Sequence, residues 1–124
     1  MVIVDANAVL RTILDDNEAM VNEVKQLIRH TPVLIKNEVM AEIVYVLARV
    51  YNVSKPELCR CILNLLKTEN ICVESRDVML CAINVFEKIN IDFVDSLLYA
   101  YHCEGGAEIF TFDKKLKNLI NKGI

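Results

Sequence analysis

Glycine and proline are scarce in this chain, 3 and 2 residues among 124. Long disordered linkers, which draw on both, are therefore not expected. No glycine-rich loop could cradle a phosphate; Gly105-Gly106 reads as the end of a helix. Cysteine is odd in number, 5, and no pair stands as Cys-x-x-Cys. Cys59 and Cys61 would fall on different faces of a helix. With Cys72, Cys81 and Cys103 they read as reduced thiols acting as small hydrophobes, with no structural zinc. An excess of positive charge is also missing. The net charge of −3 excludes a bulk phosphate binder of the strongly basic sort. Any nucleic-acid contact must come from local basic patches or bound metal. No apolar run approaches the ~20 residues a membrane helix needs. Met1-Val2-Ile3-Val4-Asp5 meets an acid at once and lacks a basic leader, so a cytoplasmic chain is expected. No Ser-His-Asp constellation stands out, and His30 and His102 read as structural.

What the chain does have is core material: 54% of it is hydrophobic, ample for a single domain over residues 1–124. Val2 to Val4 is a short apolar run that reads as a buried strand. Residues 7–30 read as helix, broken near Asp15-Asp16-Asn17. Val33-Leu34-Ile35 follows as a second strand. Asn37 is expected to cap a helix running to about Tyr51. Ser54-Lys55-Pro56-Glu57 is a capping box with Pro tolerated in the first turn, opening a helix to about Lys67. Ile71-Cys72-Val73 is a third strand. Helices starting at Ser75 and capped by Asp92 come next, the latter stopping at Gly105-Gly106. Residues 108–112 are expected to form a fourth strand, and Asp113 opens a last short helix. Strands alternating with helices predict an α/β fold, a three-layer α/β/α sandwich with a central parallel sheet of four to five strands.

Ligands of open parallel sheets bind outside the carboxyl ends of the strands. Asp5 and Asp113 each follow a predicted strand and so sit at that edge, though each also suits a helix N-cap. Glu42 lies roughly 80° from the centre of the apolar stripe Val39, Ile43, Val46, Leu47 and Val50, at its boundary. Asp92-Phe93-Val94-Asp95 opens a helix; capping explains Asp92, while Asp95 points away from the apolar residues, beside Ser96, Tyr99 and His102.

The order of these motifs resembles the PIN-domain family, and within it the VapC-type toxins. Asp5-Ala6-Asn7 after Val-Ile-Val is similar to the family's strand ending in Asp-x-Asn. The helix from Asn37 to Leu47 resembles the one carrying an inward Glu, here Glu42. Asp92 to Ala100 is similar to the Asp-x-Leu-x-x-Ala motif, which places its acid at Asp95. Ile109 to Lys115 resembles the closing strand with its Asp113, although many VapC-type toxins have Asn-x-Asp where Thr111-Phe112 precedes Asp113 here.

The resemblance implies a nuclease that hydrolyses RNA phosphodiester bonds with Mg²⁺ or Mn²⁺. It implies Asp5, Glu42, Asp95 and Asp113 as the catalytic acids, with Asp5, Asp95 and Asp113 as metal ligands. Asn7, Ser96 and Thr111 would position water or the scissile phosphate, and Lys114 and Lys115 would contact RNA phosphates. It further implies a homodimer and a small antitoxin partner. Two other readings are weighed against it. One is a PIN-like binding module without activity. The other is a receiver-type phosphoacceptor domain, which fits poorly because Glu74, not Asp, follows the third strand.

Overall fold

The computed structural model describes residues 1–124. They fall into two compact units, Met1–Glu74 and Ser75–Ile124. The first contains β1 (Val2–Ile3), α1 (Ala6–Leu14), α2 (Glu18–His30), β2 (Val33–Ile35), α3 (Asn37–Arg49), α4 (Lys55–Lys67) and β3 (Ile71–Val73). The second contains α5 (Arg76–Lys88), α6 (Phe93–Gly105) and α7 (Lys114–Lys122). No helix is long and apolar enough to cross a membrane.

The three strands pair in parallel in the order β1-β2-β3. Val2 faces Val33, and Leu34 faces Cys72. Val33 and Ile35 are buried on β2, as a strand hydrogen-bonded on both sides requires. The helices of this unit bury one stripe each: Val9 and Leu10 from α1, Met40, Ile43 and Leu47 from α3, Leu58 and Ile62 from α4. Full burial of such a side chain is worth about 2 kcal/mol, so these stripes rather than three short strands supply most of the cohesion. Asn70 turns α4 into β3. It takes a left-handed conformation, φ 67°, which Asn tolerates better than most residues. Its side-chain amide donates to the Ile28 carbonyl at 2.7 Å, and its own carbonyl accepts from the Val33 amide at 2.8 Å.

In the second unit α5 and α6 pack extensively, with Phe86 and Phe93 edge-to-face at 5.5 Å between ring centres. Val85, Ile91, Tyr99, Leu116 and Leu119 form its apolar core. Gly106 ends α6 at φ 69°. There the Ala107 amide reaches back to the Tyr101 carbonyl at 3.2 Å, which satisfies a helix-end acceptor.

The expected sheet of four to five strands is corrected to three. Residues 108–112 form no strand. A strand exists only when its amides and carbonyls meet a partner ladder, and these meet none. Ile109 packs on the core of the second unit, whereas Phe110 and Phe112 face solvent.

The start of α3 is a second correction. Asn37 is its first residue, not its cap, and the Lys36 side chain at the cap position makes no capping bond. Glu74, just past β3, does that work. Its carboxylate accepts from the Asn37 amide at 2.6 Å and from Lys36 Nζ at 3.0 Å. The backbone bond to Asn37 and then the Lys36 ammonium hold the Glu74 carboxyl below its ordinary pKa, and Glu74 holds the Lys36 amine above its own. A depressed carboxyl pKa contributes stability that is present above its unfolded value and lost as pH falls through the folded one. Glu74→Ala should therefore cost about 1 kcal/mol near neutral pH, as a lost cap does. That difference from the parent should shrink as pH falls through the range where Glu74 takes up its proton. Chemical denaturation of both proteins across acidic pH measures it; a cost that is constant with pH would contradict this role.

Candidate acidic site

Asp5 follows the buried Val4 and stands at the N-cap of α1. Its Oδ1 accepts from the Ala8 amide at 2.9 Å. Asp113 stands at the N-cap of α7, where its Oδ1 accepts from the Leu116 amide at 2.8 Å. Its own amide donates to Thr111 Oγ1 at 3.0 Å. In both acids capping engages one oxygen, fixes the rotamer, and leaves Oδ2 without a protein donor. A capping acid and a ligand acid are thus compatible roles for the same side chain.

Asp92 also stands at an N-cap, but its side chain makes no capping bond, contrary to the expectation from sequence. The turn is held from inside instead. Ser96 is wholly buried, and its hydroxyl donates to the Asp92 carbonyl at 3.1 Å. Buried in that way, Ser96 does not present its hydroxyl to solvent; it fixes the first turn of α6, on which Asp95 rides. Asp95 is half-buried and makes no hydrogen bond or ion pair. Burial first, then the charges of Asp113 and Asp92, push its carboxyl above the ordinary range. Asp95 therefore feels two like charges, and no ion pair offsets its own.

The remaining residues are simply placed. Glu42 is exposed on α3 beside the buried Ile43, and no ion pair holds it. Asn7 is exposed in the first turn of α1. Lys114 is exposed, while Lys115 Nζ donates to the Asn90 carbonyl at 2.6 Å. Asp5 and Glu42 belong to the first unit, Asp95 and Asp113 to the second. Glu74 stands where a receiver domain would need its phosphoacceptor, and it is committed to the end of α3.

No three His, Cys, Asp or Glu side chains are gathered tightly enough to cage a metal ion. Mg²⁺ asks less, since one or two carboxylates suffice when waters fill the other positions. Asp113 is near enough to Asp95 for its charge to raise the Asp95 carboxyl pKa.

A model of the PIN domain matches residues 2–121. The chain belongs to the PIN-domain family. No curated protein and no solved structure matches it. PIN domains are generally nucleases that use divalent metal, and the match spans the four acids read from the sequence. Two features of this PIN domain escaped the sequence. The contact of Glu74 with α3 spans 37 positions and leaves no local pattern. The exposure of Phe110 and Phe112 contradicts their apolar character, so hydropathy alone would hide it.

The acids should separate by their energetics. Asp113→Ala removes a capping bond and should cost about 1 kcal/mol. Asp95→Asn removes charge from a half-buried position with two like charges nearby and should leave stability unchanged or raise it. Thermal melts of both variants without metal test this; a loss at Asp95→Asn as large as at Asp113→Ala would show that Asp95 is a structural acid only.

Proposed function

We propose that this PIN domain is a metal-dependent endoribonuclease, the toxin of a VapC-type toxin–antitoxin pair. The observation that carries the reading is Asp95. It is a half-buried carboxylate on a turn held by buried Ser96, crowded by Asp113 and Asp92, and served by no counterion. Such an arrangement costs stability and is kept where a cation completes it.

Asp5, Asp95 and Asp113 would hold Mg²⁺ or Mn²⁺, and Glu42 completes the acidic set. The bound ion would neutralise phosphate charge and acidify a water for attack on phosphorus. The protein's own part is orientation. Capping amides aim Asp5 and Asp113, each with one oxygen committed and one available. Glu42, exposed and unpaired, is suited to take a proton from water. Asn7 can donate from its amide to a phosphate oxygen, and Thr111 sets the turn that presents Asp113. Lys114 is an exposed cation for RNA phosphate, whereas Lys115 must first leave the Asn90 carbonyl. Exposed Tyr45, Val50 and Tyr51 on and just after α3 support the homodimer reading, and a small antitoxin is the proposed inhibitor.

The purified chain should cleave RNA only when Mg²⁺ or Mn²⁺ is present. Asp5→Asn should lower the rate roughly a hundredfold or more while keeping the helical circular dichroism of the parent. Asn retains a capping oxygen, so the fold survives the change. Undiminished cleavage in excess chelator, or by Asp5→Asn, would overturn the metal-nuclease reading.

A further inference from the structure

Phe110 and Phe112 are 88% and 83% exposed. Their rings meet edge-to-face at 5.3 Å between centres, so each supports the other in water instead of turning inward. Ile109 and Ile120 line a groove of about 220 Å³ beside them, with Lys117 and Asn121 at its margin. That volume is smaller than a pocket for a drug-sized ligand and suits a single planar base. Lys117 Nζ lies 5.8 Å from the centre of the Phe112 ring. The helix that carries it, α7, bears Lys114, Lys115, Lys117 and Lys122 and no acid, in a chain of net charge −3.

Exposed aromatic faces next to a cation on a short, largely apolar groove match one class of ligand above others. A base has an apolar π-face to stack and a phosphate to place on a neighbouring ammonium. A protein partner would gain from the rings but not from a helix of lysines without acids. We infer that Phe110, Phe112 and Lys117, which flank Asp113 within four residues in the chain, form a stacking platform for unpaired bases of single-stranded RNA. The choice of RNA rests on the nuclease reading; the platform itself rests on the exposed rings, the groove and the lysines. A duplex keeps its bases stacked on one another and cannot use the rings, so the site selects single strands.

The test is fluorescence anisotropy on the full chain in excess chelator and low salt, where cleavage plays no part. The probes are labelled oligouridylate and oligoadenylate of about ten nucleotides, a usual length for such grooves, and the duplex they form. Both single strands should bind more tightly than the duplex. Phe110→Ala with Phe112→Ala should weaken single-strand binding by about tenfold or more. Phe112→Tyr, which keeps a ring face, should bind like the parent. Lys117→Ala should weaken binding and reduce the slope of log affinity against log salt by about 0.7. Both rings are solvent-exposed, so the alanine variants should keep the parent's melting temperature. Equal affinity for duplex, or a double variant within twofold of the parent, would overturn the platform. So would a double variant that changes only the mass seen by light scattering, which would make the rings a contact between copies. A parent chain that binds neither single strand yet still cleaves RNA with metal rejects the platform alone. Binding intact with no cleavage under any metal rejects the nuclease reading alone.

Discussion

Parallel strands cannot be joined by a tight hairpin, because the chain must travel back along the sheet before it can pair again. Three strands of two or three residues each thus oblige the first unit to be built mostly of crossover helices. The same constraint decides where helices begin. Val4 leads straight into the cap of α1, and Ile35 leads through Lys36 into α3. Every such junction puts unpaired amides at the carboxyl end of a strand, and each needs an acceptor. Asp5 supplies its own, whereas α3 borrows Glu74 from the end of the neighbouring strand. Acceptors at this edge are therefore required by the fold before any chemistry is considered, and at α1 and α3 they are acids.

That overlap explains why the acids are ambiguous one at a time. A carboxylate at a helix start is stabilised by the dipole and by one or two amides, whether or not it ever meets a metal. Asp5 and Asp113 conform to this pattern. Asp95 departs from it: it lies within the first turn of α6, yet burial and like charge outweigh what the helix end offers. Ser96 is the reason the position can be held. A hydroxyl buried and bonded to the Asp92 carbonyl locks the turn without adding charge. Replacing a capping side chain by a buried serine leaves Asp92 unbonded and its charge available to the same neighbourhood.

Local patterns in the sequence were sufficient for the helices. Ser54 and Ser75 cap where the spacing places them, the break at Asp15-Asp16-Asn17 separates α1 from α2, and Gly106 ends α6. These are decisions made within one or two turns of chain. Two other expectations depended on distant partners and failed. Residues 108–112 have strand composition, but composition cannot provide a ladder. Asn37 has capping chemistry, but Glu74 competes from far along the chain with a full charge. For the site, residue types and order pointed to the acids, and the family match spans their positions. The electrostatics around Asp95 required coordinates, since burial is not written in any single motif.

Three residues other than glycine take left-handed backbone conformations, Asp15, Asn52 and Asn70, and they differ in how freely they can drift. Glycine would relieve backbone strain at any of them. At Asn52, whose flanking bond from the Val53 amide to the Leu47 carbonyl is backbone only, nothing in the side chain opposes that exchange. Asn70 is different, because its side-chain amide holds the Ile28 carbonyl in the last turn of α2 while its own carbonyl holds β2. Glycine there would ease one torsion and orphan a distant helix end. Among related sequences, position 52 should wander between Asn and Gly while position 70 stays amide-bearing, a divergence in tolerance set by a single 2.7 Å bond.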